Sequence, residues 1–199
     1  MPVERWQALQ RQISEIRGSN SAFGSDAQFL QLRMQLEHVF RVADKWHLLL
    51  RDEIGTTVAN HFDHVPAIMR FFVGGDNSVR GFAFDQLSPV DQVCKTPTSG
   101  PVIVPPGGTC VEYVGQVKDG GKNLITGTVE IIRDLPHNFG VATFFDYGNA
   151  FNHFGDPLEY AAGVGFRLRL PVVTLGVDVA QPLSRSAGPR LHINFSPKL

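Results

Sequence analysis

From Leu158 the chain alternates without a break. Leu158, Tyr160, Ala162, Val164, Phe166, Leu168 and Leu170 fall on one face, and Glu159, Ala161, Gly163, Gly165, Arg167 and Arg169 on the other. A period of two marks an extended strand with one apolar side. After Pro171 it resumes, with Val173, Leu175, Val177 and Val179 against Val172, Thr174, Gly176, Asp178 and Ala180. The last stretch sets Leu191, Ile193 and Phe195 opposite Arg190, His192, Asn194 and Ser196. Earlier, Leu30, Leu32, Met34, Leu36, Phe40 and Val42 oppose Gln31, Arg33, Gln35, Glu37 and Arg41, with His38 the one polar residue on the apolar side. Two architectures produce such alternation, a sandwich with one wet face and a membrane barrel with apolar-out, polar-in strands. Length favours the barrel. Runs of about nine to fourteen residues exceed the usual strand of about five or six and approach the ~9–11 that a tilted strand needs to cross a bilayer. Trp46, Phe139, Tyr147, Phe151 and Tyr160 gather at strand ends, as in an interfacial girdle.

The remaining composition narrows the class. The 199 residues suit one domain, and 43% of them are hydrophobic, yet no apolar run reaches the ~18 residues of a transmembrane helix. Lys+Arg at 18 against Asp+Glu at 19 leaves a net charge of -1, which argues against a nucleic-acid partner. The opening MPVERWQALQRQ lacks the apolar stretch of a secretory signal, so an exported chain would be mature or cut from something longer. Candidate strands lie near residues 27–43, 46–60, 66–74, 123–134, 138–149, 158–170, 172–180 and 190–197. Val3, Trp6, Leu9, Ile13 and Ile16 match helical spacing better than a ninth strand. Eight strands could close alone, but the interior of so small a barrel is filled by its own side chains. It would leave no room for the long connection at 75–122 to fold inward.

That connection is rich in Gly and Pro, including SGPVIVPPGGTC, and reads as loop rather than strand. A connection of this length is more often functional than passive. It holds both cysteines, Cys94 and Cys110, for which a disulfide in an oxidising compartment is the simplest reading and two free thiols the other. It also carries FFVGGDNSVRGFAF, in which Arg80 stands among glycines and aromatics. Strand parity turns Ile125, Val129 and Ile131 outward and leaves Glu130 inward. It likewise turns Phe139, Val141, Phe145 and Tyr147 outward and leaves Asp146 inward, across a short LPHN turn. Two carboxylates on one confined wall are unfavourable without a cation. Arg80 can supply a planar partner for both, delivered by the turns that Gly74, Gly75 and Gly81 permit. The alternative is a solvated loop arginine beside a charge-lined lumen.

FFVGGDNSVRGFAF resembles the signature of the BamA/TamA family of outer-membrane protein assembly factors, the bacterial surface antigens, and looks closest to the TamA branch. RDEIG before it, then GGKNLITGTVEIIRDLP, ATFFDYGNAF, GVGFRLRLP and LHINFSPKL follow in family order. The resemblance implies an all-β fold, the C-terminal half (about eight or nine strands) of a sixteen-stranded antiparallel transmembrane barrel. Residues 1–199 would be one partial barrel domain, and the 75–122 loop would fold inward. Its tip, Val79, Arg80, Gly81 and Phe82, would be anchored by Glu130 and Asp146, with the Cys94 and Cys110 segment as an insertion. The chain departs from the family pattern in lacking the preceding periplasmic domains and the first strands, and in ending on Leu199 rather than an aromatic residue. It reads as the end of a longer protein.

The function so implied is insertion or secretion of β-barrel or autotransporter-type clients in the outer membrane of a Gram-negative bacterium. It is non-enzymatic and needs no cofactor or metal. Partners would be outer-membrane lipid, client proteins and a periplasm-spanning subunit, with no nucleic acid. A rival is a passive channel or structural barrel fragment whose lumen carries Arg33, Glu37, Arg41, Arg167, Arg169 and Asp178. Another is the barrel portion of a lipase-fused protein. An enzyme has weaker support: His61, Asp63 and His64 in NHFDH are metal-ligand types, but no Gly-x-Ser-x-Gly or His-Glu-x-x-His is present.

Overall fold

The structure is a computed structural model that describes residues 9–20, 22, 27–96, 99–104, 110 and 112–197. Val3, Trp6 and Leu199 lie outside the described residues. Among the described residues eleven strands form two antiparallel sheets. The large one contains β1 (Leu9–Ser19), β2 (Phe29–Ala43), β3 (Trp46–Ala59), β7 (Asn123–Asp134), β8 (Phe139–Phe151), β9 (Glu159–Arg169), β10 (Val173–Pro182) and β11 (Arg190–Pro197), paired in that order. The small one places β4 (Val90–Thr96) between β5 (Ser99–Val104) and β6 (Glu112–Lys118). Among the described residues β1 and β11 end the large sheet, each bonded to one neighbour. No helix among them is long and apolar enough to cross a membrane.

Alternation sorts the large sheet into two faces. Val129 and Ile131 of β7, Val141 and Phe145 of β8, and Val164 and Phe166 of β9 are exposed, as are Leu191, Ile193 and Phe195 of β11. Glu130, Asp146, Arg167, Asp178 and His192 on the opposite face are buried. A sheet with its apolar residues outside and its charges inside is built for lipid on one side and polar contents on the other. Phe151 departs from the expected girdle. It is buried against Phe154, with ring centroids 5.7 Å apart, beyond the irregular backbone at Gly148.

Three expectations from the sequence are corrected. Within the described residues, the helical spacing of Leu9, Ile13 and Ile16 gives way to strand β1, which pairs with β2 from Leu9↔Val39 to Ser19↔Phe29. That register runs unbroken over eleven residue pairs, so the backbone edge that β2 offers outweighs a weak periodic signal. The candidate strand 66–74 is instead a 3-10 turn, Ala67–Met69, followed by two isolated bridges, Phe71↔Gly121 and Val73↔Leu87. Pro66 starts the turn, and Gly74 and Gly75 in left-handed conformation end the extended stretch. The connection 75–122 is not all loop, because it contains β4, β5 and β6. The Gly and Pro residues that suggested loop cluster around and after β5, whereas VDQVCKT and EYVGQVK have strand composition.

The stem of this connection folds onto the charged face. Phe71, Val73, Val79, Phe82 and Leu87 form one buried cluster with Leu124, Ala150 and Ala161 of the sheet. Inward-facing Gly55 lets the Phe71 ring lie directly on β3, where a Cβ would collide with it. The small sheet projects beyond this stem, closed by the Cys94–Cys110 disulfide. Arg70 secures its exit, donating to the Asp119 and Val65 carbonyls and pairing with the Asp119 carboxylate. Reduction of the disulfide should therefore loosen β4–β6 by about 3 kcal/mol, the loop-closure value for this span. Limited proteolysis should show faster cleavage within Val90–Lys118 while the large sheet stays intact.

Candidate functional site: a buried arginine at the loop tip

The turn Val79–Phe82 carries alternate instructions. Val79 and Phe82 are apolar and buried at 0% and 2% exposure, which pins the tip on both sides of Arg80. Gly81 lies at φ 92, and a Cβ there would press on Ala161 and on the backbone of Pro182 at 3.2 Å. Only glycine permits both that conformation and that approach. Arg80 is thereby driven into the sheet.

Its guanidinium makes a fork with Asp146 of β8: Nε donates to Oδ2 at 2.8 Å and Nη2 to Oδ1 at 2.9 Å. The Arg80 backbone N–H donates to the same carboxylate at 3.0 Å. Nη1 donates to Glu130 of β7 at 2.9 Å and to Asp178 of β10 at 3.0 Å. The Phe144 ring of β8 covers the guanidinium, with its centroid 3.3 Å from Cζ. Burial works against the Arg80 charge, but the Asp146 hydrogen bonds and the Asp146, Glu130 and Asp178 charges outweigh it. The group is held above its ordinary arginine range.

Arg167 of β9 completes the network. It donates to Glu130 Oε1 at 2.7 Å through Nη2 and pairs with Asp178 through Nη1. Two guanidiniums thus face three carboxylates, of which Asp146 and Asp178 are fully buried. Asn194 of β11 adds a donor to Asp178 at 2.9 Å. Space for the cluster comes from β9: a Cβ on Gly163 would enter the Phe144 ring, and one on Gly165 would enter the Asp178 carboxylate and Arg167. One face of GVG is therefore cleared of side chains where the charges meet.

Arg80, Glu130 and Asp146, singled out in the sequence, lie together at these distances. Asp178 and Arg167, placed on the lumenal side by parity, join the same cluster, which their sequence positions did not reveal. His192 and Asp76 were also missed: His192 accepts a hydrogen bond from Gly81 N–H at 2.8 Å and touches Asp76. The other lumenal charges pair elsewhere, Arg33 with Glu53, Glu37 with Arg51, Arg41 with Asp44 and Arg169 with Asp134. Cys94 and Cys110 sit in the small sheet. The exposed His61 and His64 rings lie 5.4 Å apart and tilted, and no cluster of three metal-ligand side chains occurs among the described residues.

A sheet apolar on one face, with an ion-paired loop docked on the other, is the wall of a transmembrane β-barrel. The chain belongs to the Omp85 superfamily, whose domain model matches residues 11–196. It is 25% identical over 176 residues to the outer membrane protein assembly factor BamA of Nitratidesulfovibrio vulgaris (strain Hildenborough), covering 85% of this chain and 20% of that protein. Its fold is similar to the crystal structure of BamA from Haemophilus ducreyi lacking POTRA domains 1–3. The TM-score is 0.69 at 18% identity, over 93% of this chain and 37% of that one. The chain thus spans 20% of the length of the curated relative it matches.

Arg80→Ala should destabilise the domain by about 3–5 kcal/mol, because it leaves buried carboxylates unmatched. Adding Asp146→Asn should recover part of that loss, and thermal unfolding of the two single variants and the double variant measures the coupling. Arg80→Lys should recover little, since a point-charge ammonium cannot make the fork to Asp146 and also reach Glu130 and Asp178. Full additivity of Arg80→Ala and Asp146→Asn would contradict the network.

Proposed function

We propose that this chain is the C-terminal half of a sixteen-stranded barrel in the outer membrane of a Gram-negative bacterium. The whole protein would insert or secrete β-barrel or autotransporter-type clients without bond chemistry. The observation that carries the reading is the loop tip docked on the charged wall, with Arg80 bound to Glu130, Asp146 and Asp178. So costly an arrangement of buried charge goes beyond what a passive wall requires: it fixes a loop that occupies the lumen and sets the wall's shape around it. Membership of the Omp85 superfamily and the likeness to a protein named as an assembly factor support the same activity. The end strands β1 and β11 offer backbone groups to further strands, those of the remaining barrel or of a client. Outer-membrane lipid, client proteins and a periplasm-spanning subunit are the partners this requires. Within the family we assign the chain to the TamA branch, on the order and wording of the motifs around FFVGGDNSVRGFAF.

A solute channel is the second reading. It is favoured by a cavity of about 620 Å³ that runs from the short turns to the loop tip, lined by Arg41, His47 and Arg169 and by Arg80, Glu130 and Arg167 of the charged cluster. The two readings part in one experiment with the full-length protein in lipid vesicles. Insertion of an unfolded client barrel should proceed with the intact protein and fall at least tenfold with Arg80→Ala at equal membrane incorporation. Steady ion conductance with no acceleration of client insertion would favour the channel.

A further inference from the structure

We infer that His192 is a pH-responsive latch, a positioning residue that ties the Arg80 turn to the last strand while its imidazole is neutral. His192 projects from β11 and is 6% exposed. Its Nε2 lies 2.8 Å from the backbone nitrogen of Gly81. A backbone N–H can only donate, so Nε2 must carry a lone pair. Nδ1 faces the Asp76 carboxylate at 2.5 Å and therefore holds the proton. One ring thus grips the loop on both sides of Arg80, at Asp76 before it and at Gly81 directly after it.

Protonation changes one of these contacts and keeps the other. With a proton on Nε2, two donors face each other and the Gly81 bond is lost. The Asp76 contact becomes an ion pair and holds the ring in place. The other charged groups placed around His192 are Asp178, its register partner on β10, Arg80, the residue before Gly81, and Arg190, two residues earlier on the same face of β11. The Asp178 carboxylate is already bound by Arg80, Arg167 and Asn194, so it is not free to replace the lost bond. Acidification therefore frees the turn from β11 while Arg80 stays paired with β7, β8 and β10. Because β11 ends the sheet among the described residues, this contact links loop position to a strand bonded there on one side.

The inference rests on the docked loop of the proposed function and adds its regulation. It is tested by hydrogen exchange at the Gly81 amide in the full-length protein in membrane vesicles, at about pH 8 and about pH 5, corrected for intrinsic exchange and bracketing the ordinary imidazole range. The intact protein should lose about tenfold in protection on acidification, the factor one hydrogen bond contributes. His192→Gln supplies a carbonyl acceptor that does not titrate, so its Gly81 protection should be the same at both pH values. His192→Ala should be poorly protected at both. Protection in the intact protein that does not change with pH, or the same acid loss in His192→Gln, overturns the latch and leaves the docked loop standing. Free exchange of Gly81 in the intact protein at about pH 8 would instead overturn the docking itself.

Discussion

The buried guanidinium of Arg80 is the constraint around which the rest is arranged. A cation at 4% exposure must be matched by nearby carboxylates, and a single Asp146 fork leaves Nη1 without a partner. Glu130 and Asp178 fill that gap, but three carboxylates exceed one charge, and Arg167 redresses the balance. Each residue needs the next. The cluster therefore specifies the relative positions of β7, β8, β9 and β10 more tightly than backbone pairing alone, since a one-residue slip would turn a charge to the apolar face.

Room for the cluster is made by what is missing. Gly163 and Gly165 stand at inward positions of β9, where any side chain would displace the Phe144 ring or the Asp178 carboxylate. The same economy brings the loop stem close, with Gly55 beneath Phe71 and Gly81 against Ala161 and Pro182. Apolar anchors and polar anchors then act on different parts of one segment: Val79 and Phe82 hold the turn by burial, and Arg80 orients it by charge. The small disulfide-closed sheet is set apart from this machinery, joined through the Arg70 and Asp119 clamp at its base.

Parity was legible because it is a local property. Glu130, Asp146, Arg167 and Asp178 could each be assigned a face from their apolar neighbours, and the exposed Val129, Phe145, Val164 and Val179 occupy the other. Height along the wall was not legible. That Arg167 and Asp178 meet at the level of Arg80 depends on the register Asp178↔Gly165 and on the empty position at Gly165, which couple strands β9 and β10. His192 had only its parity as a signal in its own strand. Its place is set by Asp76, far earlier in the chain, and by a backbone amide that carries no side-chain mark.

The errors have the same origin. Leu9, Ile13 and Ile16 keep helical spacing, yet β1 forms because β2 offers it a complete backbone edge. Residues 66–74 are apolar enough for a strand, yet Pro66 and the two glycines turn them onto the charged face of the sheet, where they find two bridges instead of a ladder. By itself the sequence determined which residues of the large sheet take the apolar face and which the charged face, and that an arginine stands in a glycine-bounded turn. Tertiary structure alone decided that Asp178 and Arg167 join Glu130 and Asp146 around that arginine, because ion pairing across four strands depends on register and depth, and neither is written in the period of any one strand.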